Sequence, residues 1–104
     1  MAFRVLFIAH APDANKEKHH SVIQTEMYIL YAVVVRNQEE ALEVCKQYIE
    51  EKEIDSIILC PGFTHEDVAE LFRTVGGKVG VSVARGDGPS NRISHEAMKR
   101  EGYF

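Results

Sequence analysis

Apolar residues recur along this chain in two different rhythms. Four short segments are almost continuously apolar: Phe3 to Ala9 (FRVLFIA), Tyr28 to Arg36 (YILYAVVVR), Ser56 to Cys60 (SIILC) and Lys78 to Ala84 (KVGVSVA). Runs of that length, rich in β-branched and aromatic residues, read as strands of a buried sheet. Between them the period changes to that of a helix. Asn37 is an N-cap with Glu40 three residues on, and Ala41, Leu42, Val44, Cys45, Tyr48 and Ile49 form one stripe. Thr64 caps a second helix whose apolar face is Val68, Ala69, Leu71, Phe72 and Val75, and Gly76-Gly77 stops it. A weaker terminal helix runs from Arg92 to Glu101 and ends at Gly102. Residues 10–22 are polar and read as a long loop, with a short helical turn near Glu17 to Gln24. Loops of that length in compact domains tend to carry function.

The order β-β-α-β-α-β-α predicts an α/β fold: one domain over residues 1–104, with a small four-stranded, mostly parallel sheet and helices on both faces. The direction of the first strand is open, because its connection to the second is either a crossover or a long hairpin. Three helices cover such a sheet thinly. A bare face or edge buried against a second copy is therefore expected, giving a homo-oligomer.

Composition narrows the function classes. The 104 residues carry a formal charge of −4, with 45% apolar and 27% charged residues. Nucleic-acid binding through a basic stripe does not fit that balance. Six acidic residues between Glu39 and Glu53 form the solvated face of one helix. Two cysteines, Cys45 and Cys60, make no disulfide framework. The start, Met1 to Ala9, runs into His10-Ala11-Pro12-Asp13 without a cleavage pattern and reads as a strand, not a leader. No apolar stretch approaches the roughly 18 residues that span a bilayer. A cytoplasmic location, with no membrane or nucleic-acid partner, is the expectation.

Chemistry concentrates where strands end. Ile57-Ile58-Leu59-Cys60-Pro61-Gly62-Phe63-Thr64-His65 takes a buried strand straight into a helix start. Loops of that kind collect at the carboxyl edge of α/β sheets, where ligands bind. Unpaired amides and the positive helix end favour a thiolate at Cys60, and His65 in the first turn is the base if the Pro61-Gly62 turn folds it back. Cys60 and His65 are thus the catalytic candidates, against the bland reading of Cys60 as a small buried hydrophobe. Cys45, on a helix stripe, is structural.

The loop Arg85-Gly86-Asp87-Gly88-Pro89-Ser90-Asn91-Arg92 is the binding candidate. Its glycines admit close backbone approach, Ser90 and Asn91 cap or donate at a helix start, and Arg85 and Arg92 suit a carboxylate or phosphate. It matches neither a dinucleotide fingerprint nor a P-loop. His10, Asp13 and Thr64 complete the expected binding wall. His10, Asp13, His19, His20 and His65 also invite a metal reading, but their spacing matches no ligand pattern, and no metal set is assigned. The cofactor is left open by these residues. His95, on the terminal helix, is expected to face solvent.

FIAHAPDA at 7–14, LCPGFTHEDVAE at 59–70 and SVARGDGPSNRI at 82–93 together resemble a small family of uncharacterised prokaryotic proteins catalogued as a domain of unknown function. The resemblance spans nearly the whole chain. It implies a single compact prokaryotic domain and transfers no catalytic residues. The reading of the residues themselves is a protein binding a small anionic molecule at the carboxyl edge of its sheet, with enzymatic activity open. The alternatives are a non-catalytic oligomeric sensor or interaction module, and a metal protein using the loop histidines.

Overall fold

A computed structural model describes residues 1–104. Five strands, β1 (Phe3–His10), β2 (His20–Gln24), β3 (Tyr28–Val35), β4 (Ser56–Leu59) and β5 (Gly80–Val83), form one sheet in the order β2-β3-β1-β4-β5. The helices are α1 (Gln38–Lys52), α2 (His65–Val75) and α3 (Ser90–Arg100). β3, β1, β4 and β5 run parallel, and β2 pairs antiparallel with β3. The sheet is thus mixed and mostly parallel, with one strand more than the four expected. The extra strand, His20-Ser21-Val22-Ile23-Gln24, is exposed along its whole length at the sheet edge. It has only two apolar residues and needs no buried face, so it left little trace in the hydrophobic pattern. Thr25 closes its turn: Oγ1 accepts from the backbone N–H groups of Met27 and Tyr28 at 3.3 and 3.0 Å.

Register decides which side chains form the core. Leu6 lies opposite Tyr31 and Ile57, and Ile8 lies opposite Val33 and Leu59. These residues, with Ile29 and Val35, bury one face of the sheet against Ala41, Val44 and Cys45 of α1 and Leu71 and Val75 of α2. Both helices are well delimited. Asn37 Oδ1 accepts from the Glu40 N–H, while the Glu40 carboxylate turns back to the Arg36 backbone and guanidinium rather than to Asn37. Thr64 and Asp67 form a reciprocal capping box on α2, and Gly76 (φ 66°) ends it in the left-handed conformation.

The expectation of helices on both faces is corrected. The crossovers β3–α1–β4 and β4–α2–β5 both step in the same direction across the sheet, so right-handed connections place both helices on one side. There they touch: the Gln38 amide donates to the Asp67 carbonyl at 3.1 Å and to Glu70 at 2.9 Å. The reverse step, from β1 to β3, is made by a loop and the edge strand β2, which supplies no helix for the other side. That face carries Val5, Phe7, Ala9, Leu30, Ala32, Val34 and Ile58, of which only Val5 is fully buried. α3 has no fully buried residue, and only Ala97 and Met98 on it are half-buried. Its N-cap is Pro89, and no side chain caps it, so neither Ser90 nor Asn91 plays that part.

Candidate functional site

Because β1, β3, β4 and β5 are parallel, the loops that follow them share one edge. At its centre β1 and β4 are neighbours, and the ladder continues past them: the Cys60 N–H donates to the Ile8 carbonyl at 3.0 Å, and the Ala84 N–H donates to the Leu59 carbonyl at 2.7 Å. This pairing carries His10, at the end of β1, and Cys60, just beyond β4, to the same spot. Between them lies Gly62. A Cβ placed on it would stand 3.6 Å from Cys60 Sγ and 3.6 Å from His10 Nδ1. A small group seated over Gly62 would therefore touch both side chains at van der Waals distance.

His10 points to the helix-covered side, in phase with Leu6 and Ile8, and its ring lies on Phe63 with centroids 4.1 Å apart at 30°. Phe63 is buried and anchors the turn. Burial holds the His10 imidazole below its ordinary value of 6.5, and the nearby Asp67 carboxylate partly opposes that effect. The ring is therefore neutral near pH 7, and neither of its nitrogens makes a hydrogen bond within the protein. Cys60 is a half-buried free thiol. Cys45, by contrast, is buried in the core, where desolvation pushes its thiol up to about 12.

The loop after β5 leans on the loop after β4. A Cβ on Gly86 would stand 3.7 Å from Pro61 Cβ and only 2.9 Å from Asn91 Oδ1. A side chain at position 86 would push the exposed Asn91 amide aside, whereas Gly88 has open space around it. The Asn91 N–H donates to the Asp87 carbonyl. Arg85 Nε pairs with Asp87 Oδ1 at 2.8 Å, both side chains being exposed. An exposed pair of this kind contributes no more than about 1 kcal/mol. Arg92 is exposed and unpaired, and Ser90 is exposed at the start of α3.

No other expected residue comes within 4 Å of a Cβ placed on Gly62. His65 opens α2, is exposed, and forms no side-chain hydrogen bond. The histidine that shares a glycine with Cys60 is His10. Thr64 Oγ1 is committed to the Asp67 N–H at 3.0 Å, which makes its role a cap. Asp13 is exposed and unpaired. His19 Nδ1 accepts from the Asn15 N–H at 2.9 Å, and His20 is exposed on β2. No three His, Cys, Asp or Glu side chains gather as a metal site would require. His95 is exposed and stacks on Phe104 at 4.4 Å.

Two hollows lie elsewhere, both open to solvent. One of about 300 Å³ runs along α2 between Glu66, Asp67, Ala69, Glu70 and Arg73. The other, about 220 Å³, lies beyond β3 between Ala14, Asn15, Lys16, Glu17, Arg36 and Glu40. The Arg36 N–H and guanidinium hold the Glu40 carboxyl below the usual carboxylate range, so the second hollow is lined by an ion pair already satisfied within the chain. Neither hollow has the unpaired nitrogen and thiol found around Gly62. Sequence reasoning missed Gly62 and Phe63; the Pro-Gly pair before the α2 cap was the only mark of a tight turn there.

The fold and this edge define a small mixed α/β domain of two layers, with a histidine and a free thiol at the carboxyl edge of its parallel strands. The chain belongs to a family of unknown function, DUF6506, whose model matches residues 3–99. No curated protein and no solved structure matches it. None of its helices is long and apolar enough to cross a membrane.

Proposed function

We propose that this domain binds a small carboxylate- or phosphate-bearing molecule at the carboxyl edge of the sheet, over Gly62. His10 and Cys60 form the floor, and Arg85 and Arg92 form the charged rim. The observation that carries the reading is that His10 Nδ1 and Cys60 Sγ flank the same exposed glycine, where a Cβ would meet nothing else within 4 Å. The position supports it too, since open α/β sheets bind ligands beyond the carboxyl ends of their strands. The contact of the Gly86 loop with Pro61 brings the arginine-bearing segment to the same edge. Glu66 and Asp67 in the first turn of α2 oppose an anion there. The selectivity therefore rests on the arginines, and affinity for a bare anion is modest.

In a catalytic version of this site, Cys60 is the nucleophile and neutral His10 the group that accepts its proton. His65, exposed at the start of α2, is the other candidate for the base role.

Cys60 is also a built-in reporter, since Cys45 is buried and its thiol is held near 12. Native protein is alkylated in parallel with iodoacetate and with iodoacetamide, which differ in charge at similar size. The ratio of the two rates is compared with that of the unfolded chain. The reading expects a higher ratio in the folded protein, lowered by Arg85→Ala and by Arg92→Ala. A ratio equal to the unfolded value, unmoved by either substitution, removes the anion site.

A further inference from the structure

The face of the sheet away from α1 and α2 presents Phe7, Ala9, Leu30, Ala32, Val34 and Ile58 with no helix over them. The same chain ends in a helix that is only loosely covered, with Ala97 and Met98 half-buried and every other residue exposed. α3 is 11 residues long, has no side-chain N-cap bond and no buried residue. Helices shorter than about 12–15 residues are marginal alone in water, so α3 needs packing to persist. Its apolar side chains are available: Ile93 is 63% exposed and Phe104, just beyond the helix, is also 63% exposed. Two unpartnered apolar surfaces in one chain, each of the kind the other lacks, form a complementary pair.

The exposed area is large enough for an interface. The chain exposes 7161 Å² for a mass of 11.8 kDa. A compact monomer of that mass exposes about 5,900 Å², which leaves an excess of roughly 1,200 Å². A stable interface takes about 800 Å² from each partner. Shape agrees: the radius of gyration is 14.0 Å, against about 13 Å for a compact domain of this length.

We propose that the chain forms a symmetric dimer in which α3 of each copy lies across the open sheet face of the other. A second copy is the occupant because one exchange completes both surfaces at once, with the same patch used on each side, as a two-fold interface requires. The dimer supplies the second helical layer that the β1-to-β3 connection fails to provide, and it does not depend on the anion site.

Sedimentation velocity of the full chain tests this. Wild-type protein is expected to run as a dimer at micromolar concentration; a monomer throughout overturns the proposal. Ile93→Glu alters a residue exposed in the single chain, so it should give a monomer that still unfolds cooperatively, with a far-ultraviolet helical signal reduced by no more than α3 contributes. A dimer that survives Ile93→Glu overturns the proposal. Ala32→Glu, on the open face, should also give a monomer. Mixing the two variants restores one intact helix-on-sheet contact per pair, so the mixture should associate where neither variant does alone. A mixture that stays monomeric contradicts the exchange of α3.

Discussion

Gly62→Ala separates the site from the fold. A Cβ there meets Cys60 Sγ and His10 Nδ1 at 3.6 Å each, and nothing else within 4 Å. Those are ordinary contact distances, and Gly62 does not occupy the left-handed region that excludes side chains. The folded state therefore accepts the methyl group, while the unfolded chain loses backbone freedom. The net effect is a gain of about 0.4–1 kcal/mol. For a domain of this size that is a rise in Tm of roughly 2–8 °C. The same methyl group occupies the space over the glycine, between the thiol and the imidazole. Thermal unfolding followed by circular dichroism reads the first effect. The rate at which iodoacetamide modifies native Cys60 reads the second, and it should fall severalfold. A Tm lowered by several degrees would show that the turn cannot accept a side chain. An unchanged Cys60 rate would show that reagents reach the thiol by another path. Either result refutes the geometry assigned to Gly62.

Other perturbations have equally definite outcomes. Thr64→Ala removes the acceptor for the Asp67 N–H from the α2 capping box and should cost about 1 kcal/mol in urea unfolding, with Thr64→Ser retaining most of the stability. Leu71→Ala empties a fully buried position between α2 and the sheet, and a loss of about 2–5 kcal/mol in the same assay is expected. His10 gives a pH signature whose sign follows from its lowered folded-state value. Above 6.5 it is neutral in both states and costs nothing. As pH falls below 6.5 the unfolded chain protonates first, so stability declines by at most about 1.4 kcal/mol per pH unit until folded His10 also protonates. Unfolding of wild type and His10→Gln compared between about pH 7 and pH 5 should show that decline only in the wild type.

What the sequence disclosed, and what it withheld, divides along physical lines. The four core strands and helices α1 and α2 were legible because burial imposes a period, and Asn37, Thr64 and Gly76 mark helix ends by local chemistry. β2 was not, since an exposed edge strand with only Val22 and Ile23 needs no pattern. The placement of α1 and α2 on one face was hidden as well. It depends on strand order, with β1 inserted between β3 and β4, and hydrophobic periodicity carries no record of order.

The site shows the same division. His10 and Cys60 could each be located at a strand end, but their meeting at Gly62 required β1 and β4 to be neighbours. His65 looked nearer to Cys60 in sequence, yet the α2 capping box fixes the helix start and His65 remains exposed there. Arg85 and Arg92 were identified by residue type, whereas the pairing of Arg85 with Asp87 emerged only from the fold of the loop. The thin helical cover was legible in the element count, although the face left bare was not.

Protection of Cys60 by an anion tests the account most directly. Iodoacetamide labelling of the native wild-type protein is followed by mass spectrometry in rising inorganic phosphate and, in a parallel series, rising acetate, each against chloride of matched ionic strength. Phosphate or acetate is expected to slow labelling of Cys60 in a saturable way while chloride does not, and the protection is expected to weaken in Arg85→Ala. Equal labelling rates in phosphate, acetate and chloride would contradict an anion site over Gly62.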